Sequence, residues 1–269
     1  MTSTFTDAVG QPHQTAPAAR IVSLVPSLTE LLFDLRLGAR LVGRTRFCVH
    51  PAPVVGNIES VGGTKEIDME KLLALSPTHV LVNVDENPKA MADDIAAQGI
   101  EVVATHPLTV ADNRALYRLI GGLFSAGEKA RALEADFDTA LERLERDARD
   151  WPERRALYLI WRKPWMTVAP DTYIADMLAL ARMSTFDAGG DLRYPEIELT
   201  DGLLEAVDLV LFSTEPYPFK EKHLEAFRAE FPAHAAKARL IDAEMVSWYG
   251  SRAVQGLDYM RAFGAEACR

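Results

Sequence analysis

The stretch RIVSLVPSLTELLFDLRLG, residues 20–38, joins a short apolar strand directly to a helix, and its reading decides the fold. Residues 21–25 are an apolar, largely β-branched run that Pro26 ends, because proline has no amide to give to a ladder. Ser27 is placed to accept from the free amides of the next turn. Glu30, three residues on, is placed to reach back to the Ser27 amide, a capping box ahead of Leu28, Leu31, Leu32 and Leu35, with Gly38 as the stop. In open α/β sheets ligands bind outside the carboxyl ends of the strands, so Pro26 and Ser27 are expected at a binding edge. The bland alternative is a strand-to-helix turn with no further role.

Outward from this unit the pattern alternates. Strands are expected at 41–45, 79–83 and 100–105, and helices at 68–75, 88–98 and from Thr109 and Asp112 to 124. Residues 127–149 contain no strong breaker. Ala130, Leu133, Phe137, Leu141, Leu144 and Ala148 recur there at helical spacing, with Glu142/Arg146 and Glu145/Arg149 as i to i+4 pairs. After Trp151-Pro152 the alternation resumes, with strands at 156–161, 209–213 and 239–241 and helices at 172–182, 201–206, 221–231 and 251–263. The expected fold is α/β: two Rossmann-like lobes with mostly parallel sheets joined by one long helix. The expected divisions are an N-terminal extension (1–19), a first lobe (20–126), a linking helix (127–150) and a second lobe (151–269).

The composition agrees. A chain of 269 residues with 48% hydrophobic content is near the size at which one core divides into two. A net charge of −10 disfavours nucleic acid and anionic membrane as partners. No run approaches the ~18 apolar residues of a spanning helix, so membrane insertion is not expected. Cys48 and Cys268 supply neither a zinc-ligand pattern nor a disulfide framework. The first residues lack a basic segment followed by an apolar one, so a cytoplasmic place is expected, with a periplasmic one if the chain is a mature or trimmed form.

The strand ends collect cations and aromatics: Arg44, Arg46 and Phe47 after the second strand, then Trp161, Arg162, Lys163, Pro164 and Trp165 after the strand at 156–161. Tyr194, Trp248, Tyr249 and Arg252 follow in later loops. Rigid aromatic area with forked guanidinium donors suits a flat ligand with carboxylate, phosphate or amide groups at its rim. The competing reading packs the tryptophans in the core and leaves the arginines solvated. Gly62-Gly63-Thr64-Lys65 can present amides to an anion or form an ordinary turn. His50 and His106 have no second ligand at metal-binding spacing, and no metal site is expected. Glu196 and Glu198 share a face in an extended segment, a pattern that solvated carboxylates also give. No nucleophile elbow, phosphate loop, dinucleotide fingerprint or zinc-protease motif is present.

These landmarks resemble, in order and over nearly the whole chain, the periplasmic solute-binding proteins of cobalamin and ferric-siderophore ABC importers, also termed helical-backbone metal receptors. Residues 5–10 look like the family's T-D-x-x-G-R start, and residues 20–38 like its R-I-V-S-L-x-P-S-x-T-E-x-L block. Asp68-Met69-Glu70-Lys71-Leu72 with Leu75-Ser76-Pro77-Thr78-His79-Val80 looks like its N-x-E-x-I and L-x-P-D-L-V. The resemblance implies a non-catalytic receptor that holds a small metal chelate in an interlobe cleft, with no covalent cofactor. The chelate would be a corrinoid, haem or ferric siderophore. A monomer and an ABC permease as partner are implied as well. Pro26, Ser27, Arg46, Phe47, Gly63, Thr64, Lys65, Trp161, Arg162, Trp165, Tyr194 and Trp248 would line the cleft. Glu70, Thr200 and Asp201 would dock on the permease. Where cobalamin-binding members carry an aromatic, this chain has Thr64. The alternative is a cytoplasmic carrier for such a chelate, or an enzyme that modifies it, with His50 and His106 near the cleft.

Overall fold

In the computed structural model, which describes residues 3–267, the opening apolar run forms the strand Ile21–Ser23, every residue of it buried. It lies at the centre of a parallel sheet in the order Glu59–Ser60, Leu41–Arg44, Ile21–Ser23, His79–Asn83, Glu101–Thr105. In chain order that is 3-2-1-4-5, so the winding reverses between Ile21–Ser23 and His79–Asn83, and the carboxyl ends of those two strands frame a switch point. This sheet belongs to a unit built from residues up to Pro107, Ala111–Asp136 and Tyr249–Arg252.

The helix after the first strand departs from its expected start. Pro26–Asp34 is helical with Val25 extended at its N-cap and Pro26 in the first turn, where the fixed φ suits a helix and the missing amide costs no bond. No side chain caps this end, and Ser27 is buried. The capping box is absent because Glu30 is used elsewhere: its carboxylate accepts two bonds from Arg252, at 2.7 and 2.8 Å. The helix also ends before Gly38, at Leu35, with Arg36 in the left-handed region at φ 63°.

The segment before residue 20 is more than an extension. Thr4–Thr6 pairs antiparallel with Pro12–Gln14. Asp7 accepts from the Val9, Gln11 and Ala104 amides, which fastens this hairpin to the edge strand Glu101–Thr105. His13, almost fully buried, sits between Asp7 Oδ2 (3.2 Å) and Glu101 Oε1 (2.9 Å), and Glu101 Oε2 lies 3.1 Å from His79 Nε2.

Burial holds the His79 imidazole below its ordinary range, against the upward pull of Glu101. The unfolded chain therefore takes the proton first, near pH ~6.5, and stability falls as pH drops through that value toward the lower folded one. Thermal melts across that window should show His79→Gln with a flatter pH dependence than the parent; parallel curves would contradict this assignment.

The helix Gly127–Ala148 carries the chain from the first unit into the second, burying Ala130, Phe137, Ala140, Leu141, Leu144 and Ala148 along one stripe. Two of its charges pair across to the last helix, Arg252–Ala267, Arg143 with Asp258 (3.0 Å) and Asp147 with Arg261 (3.1 Å), while Arg146 lies 3.6 Å from its neighbour Asp147. The second unit comprises Leu108–Val110, Phe137–Trp248 and residues from Ala253 on. Its parallel sheet runs Met183–Thr185, Arg154–Leu159, Leu209–Ser213, Ala238–Ile241. That is 2-1-3-4 in chain order, with the reversal between Arg154–Leu159 and Leu209–Ser213. Leu157, Leu159, Val210, Phe212, Phe219, Leu224 and Phe227 form the core beneath its helix Glu221–Glu230. A small antiparallel pair, Trp165–Met166 with Glu196–Ile197, stands beside it. Among the described residues no helix is long and apolar enough to cross a membrane. Cys48 is buried and free, and Cys268 lies outside the described residues.

Candidate functional site

At the first unit's switch point the turn after His79–Asn83 is organised by one buried side chain. Asn87 Oδ1 accepts from the Asn83 amide (2.8 Å), and its Nδ2 donates to Thr64 O (2.8 Å) and Leu24 O (3.3 Å). Asn87 thereby ties together the strand leading to Pro26, the Gly63-Thr64-Lys65 turn and its own loop. Lys65 Nζ donates to Asp85 O at 3.0 Å. The Arg46 amide donates to Gly62 O, and the Arg46 guanidinium stands 4.9 Å over the exposed Phe47 ring. A Cβ at Gly63 would press on both Arg46 and Phe47, so the glycine lets that pair lie against the turn. Pro26, Ser27, Arg46, Phe47, Gly63, Thr64 and Lys65 thus gather on one carboxyl edge.

Tyr249 closes the back of this edge. Its hydroxyl donates to Glu86 Oε1 at 2.8 Å, and burial with the nearby Glu86 charge pushes its pKa well up, so it stays a protonated donor. Tyr249 and Arg252 are almost fully buried, and they support the edge instead of lining it.

In the second unit the strand Arg154–Leu159 leads into a tight hairpin, with the Met166 amide donating to Trp161 O. Trp161 is 39% exposed and meets Tyr217 edge-on at 5.5 Å. Tyr217 leans on Phe219 (4.6 Å), and Trp165 stacks parallel to Phe219 at 6.1 Å with the Arg162 guanidinium 5.4 Å from its ring. His223 closes the row, its ring edge-on to Tyr217 and Phe219. The result is an aromatic shelf at the sheet's switch point. The expectation of a cationic, aromatic loop at 161–165 names half of it. Residues 217–223, YPFKEKH, are the half that was missed; their composition directly after the strand Leu209–Ser213 is the signal that marks them.

The remaining candidates fall differently. Tyr194, 37% exposed, lies in the bend before the strand Glu196–Ile197, where the Thr167 amide donates to Pro195 O. Trp248 is 8% exposed with its indole N–H donating to Glu215 Oε2 (3.1 Å), and so presents little surface to a ligand. Glu196 stands in register with Met166, on the face opposite Trp165. Glu70 is exposed in the first turn of Met69–Ala74. Thr200 caps Asp201–Glu205 by accepting from the Leu203 amide, and exposed Asp201 lies 3.3 Å from His234. His106 pairs with Asp85 at 3.2 Å. Among the described residues no group of three His, Cys, Asp or Glu side chains could hold a metal ion.

The family model for periplasmic binding proteins matches residues 21–239. The vitamin B12-binding protein of Vibrio cholerae serotype O1 is 25% identical over 221 residues, 81% of this chain and 78% of that protein. The counterpart from Yersinia pestis is 26% identical over 67% of this chain and 64% of its own length. Among solved structures, the periplasmic vitamin B12 binding protein BtuF of Vibrio cholerae superposes with a TM-score of 0.81 at 19% identity, covering 93% of this chain and 98% of that one. The periplasmic heme-binding protein RhuT from Roseiflexus gives 0.80 at 20% identity, covering 94% and 100%. These matches overturn the cytoplasmic place expected from the first residues, because the family and these structures are periplasmic binding proteins.

Proposed function

Since the chain belongs to the periplasmic binding protein family, matched over most of its length, we propose that it captures a small metal chelate and passes it to an ABC permease. The family consists of non-enzymatic substrate-binding proteins, so the chain is not an enzyme and the chelate-modifying alternative falls away. The observation that carries the reading is the shelf of Trp161, Trp165, Tyr217 and Phe219 with Arg162 over it. It offers flat apolar area beside a fixed cation, as a planar ligand with a polar rim requires. Relatives named for vitamin B12 and heme support a corrinoid, haem or ferric chelate as cargo. Pro26, Ser27, Arg46, Phe47, Gly63, Thr64, Lys65 and Tyr194 are further contacts in this proposal. Glu70, Thr200 and Asp201 are the proposed permease contacts.

Titration of the purified protein with aquocobalamin, haemin and a ferric siderophore tests this. At least one is expected to quench tryptophan emission and to shift its own visible spectrum. No response to the whole panel at micromolar protein would overturn the proposal.

A further inference from the structure

The aromatic shelf of the second unit is bordered by cations that have no carboxylate partner among the described residues. Arg162 lies over Trp165 and makes no ion pair among the described residues. Lys163, Lys220 and Lys222 are exposed and likewise unpaired there, in a chain whose net charge is −10. Three carboxylates on the neighbouring segments are engaged or turned away, and exposed Glu225 on the helix Glu221–Glu230 makes no ion pair with these cations among the described residues. Glu221 accepts from Arg228 at 2.7 Å, Glu215 accepts from the Trp248 indole, and Glu196 stands on the face opposite Trp165.

The histidine of this row reports the same field. His223 Nδ1 accepts from the Lys220 amide at 2.9 Å, which leaves Nε2 as the N–H donor of the neutral ring. Burial first, then the charges of Lys222, Arg162 and Lys220, hold its pKa below the ordinary histidine range. Three cations thus act on this ring, and at neutral pH His223 adds a donor there instead of a fourth charge.

Resting on the function proposed above, we propose that this shelf selects chelates that carry anionic groups, carboxylates or ionised oxygens, at the rim, and discriminates against neutral, amide-rimmed ones. An anion supplies what the border lacks. A guanidinium that already lies against an aromatic plane is held for forked bonding to a carboxylate beside a stacked ring, whereas a neutral amide gains only single, weaker bonds from it. Four unpaired cations also attract the anion at long range, a contribution that salt screens.

Water-soluble probes separate the possibilities: the shape-matched pair tetrakis(4-sulfonatophenyl)porphyrin and tetrakis(N-methyl-4-pyridyl)porphyrin, with cyanocobalamin as the neutral, amide-rimmed chelate, followed by tryptophan quenching at low and high salt. The anionic porphyrin is expected to bind at least tenfold tighter than the other two and to lose affinity with salt. Charge reversal at exposed positions, Lys220→Glu with Lys222→Glu, should cut that preference at least tenfold without changing the melting profile. Cationic porphyrin or cyanocobalamin binding as tightly as the anionic probe would overturn the selectivity while leaving chelate capture intact. Failure of all three probes, together with the haemin and siderophore panel, would overturn both.

Discussion

Replacing Arg252 by alanine is expected to destabilise the first unit by ~3–5 kcal/mol, the cost of leaving a buried charge without its partner. Arg252 is 8% exposed, and the Glu30 side chain that accepts its two bonds is 14% exposed. Burial raises the Glu30 carboxyl above its ordinary value even with Arg252 opposing the shift, so the carboxylate already bears a desolvation cost. Without the guanidinium that cost is uncompensated.

The pH dependence gives the sign. A carboxyl whose folded pKa is raised contributes stability that is fully present below the unfolded value of ~4.5 and is lost as pH rises through the folded value. The Arg252→Ala deficit should therefore be largest at neutral pH and shrink on acidification. Arg252→Met with Glu30→Leu should recover much of the loss, since an apolar pair of similar size removes both charges together. Denaturant melts measure all three variants. A deficit below ~1 kcal/mol at neutral pH, the level of an exposed ion pair, would show that Arg252 does not anchor the helix.

This pair bears on the binding edge because of what lies around it. Gly250, at φ 83°, packs its backbone against Ser27 and Leu31, donates to Asn113 Oδ1 (2.6 Å) and accepts from the Tyr117 hydroxyl (2.9 Å). With Tyr249 on Glu86 and Arg252 on Glu30, the four-residue segment Tyr249–Arg252 fixes the helix that begins at Pro26.

None of that was legible near residue 30. Glu30 three residues after Ser27 satisfies a capping pattern, but the competing partner stands 222 positions away, and pattern reading weighs only neighbours. Local signals served well where local forces decide. His79–Asn83 and Leu209–Ser213 follow their apolar runs residue for residue, because a buried parallel strand needs nothing beyond continuous hydrophobicity. The two-residue strands Trp165–Met166 and Glu196–Ile197 are too short for any period to register, and tertiary pairing makes them. Strand order was hidden too. The loop at 161–165 could be marked as a strand end, but only the 2-1-3-4 order puts residues 217–223 beside it and doubles the aromatic surface. The Asn87 hub was invisible for the same reason, since its three bonds join segments that sequence spacing keeps apart.

Two tryptophans of the shelf should separate binding from folding. Trp165 is half-buried between Phe219, Phe212 and the Arg162 guanidinium. Truncating it to alanine should cost roughly half of the ~3–5 kcal/mol typical of a fully buried aromatic. It should also weaken chelate affinity at least tenfold, about 1.4 kcal/mol, because Arg162 loses the ring that orients it. Trp161 touches Tyr217 only by its edge and keeps 39% of its surface exposed, so Trp161→Ala should leave the melting temperature nearly unchanged. If that exposed area is where the ligand stacks, its affinity should still fall by a similar factor. Trp165→Phe supplies the control, since a smaller ring can retain the stack on Phe219 and much of the cation–π contact. The decisive comparison is Trp161→Ala against Trp165→Phe: lost affinity with intact stability in the first and near-parent behaviour in the second identify the shelf as the ligand surface. Unchanged affinity in Trp161→Ala would place the ligand elsewhere and reduce these aromatics to packing.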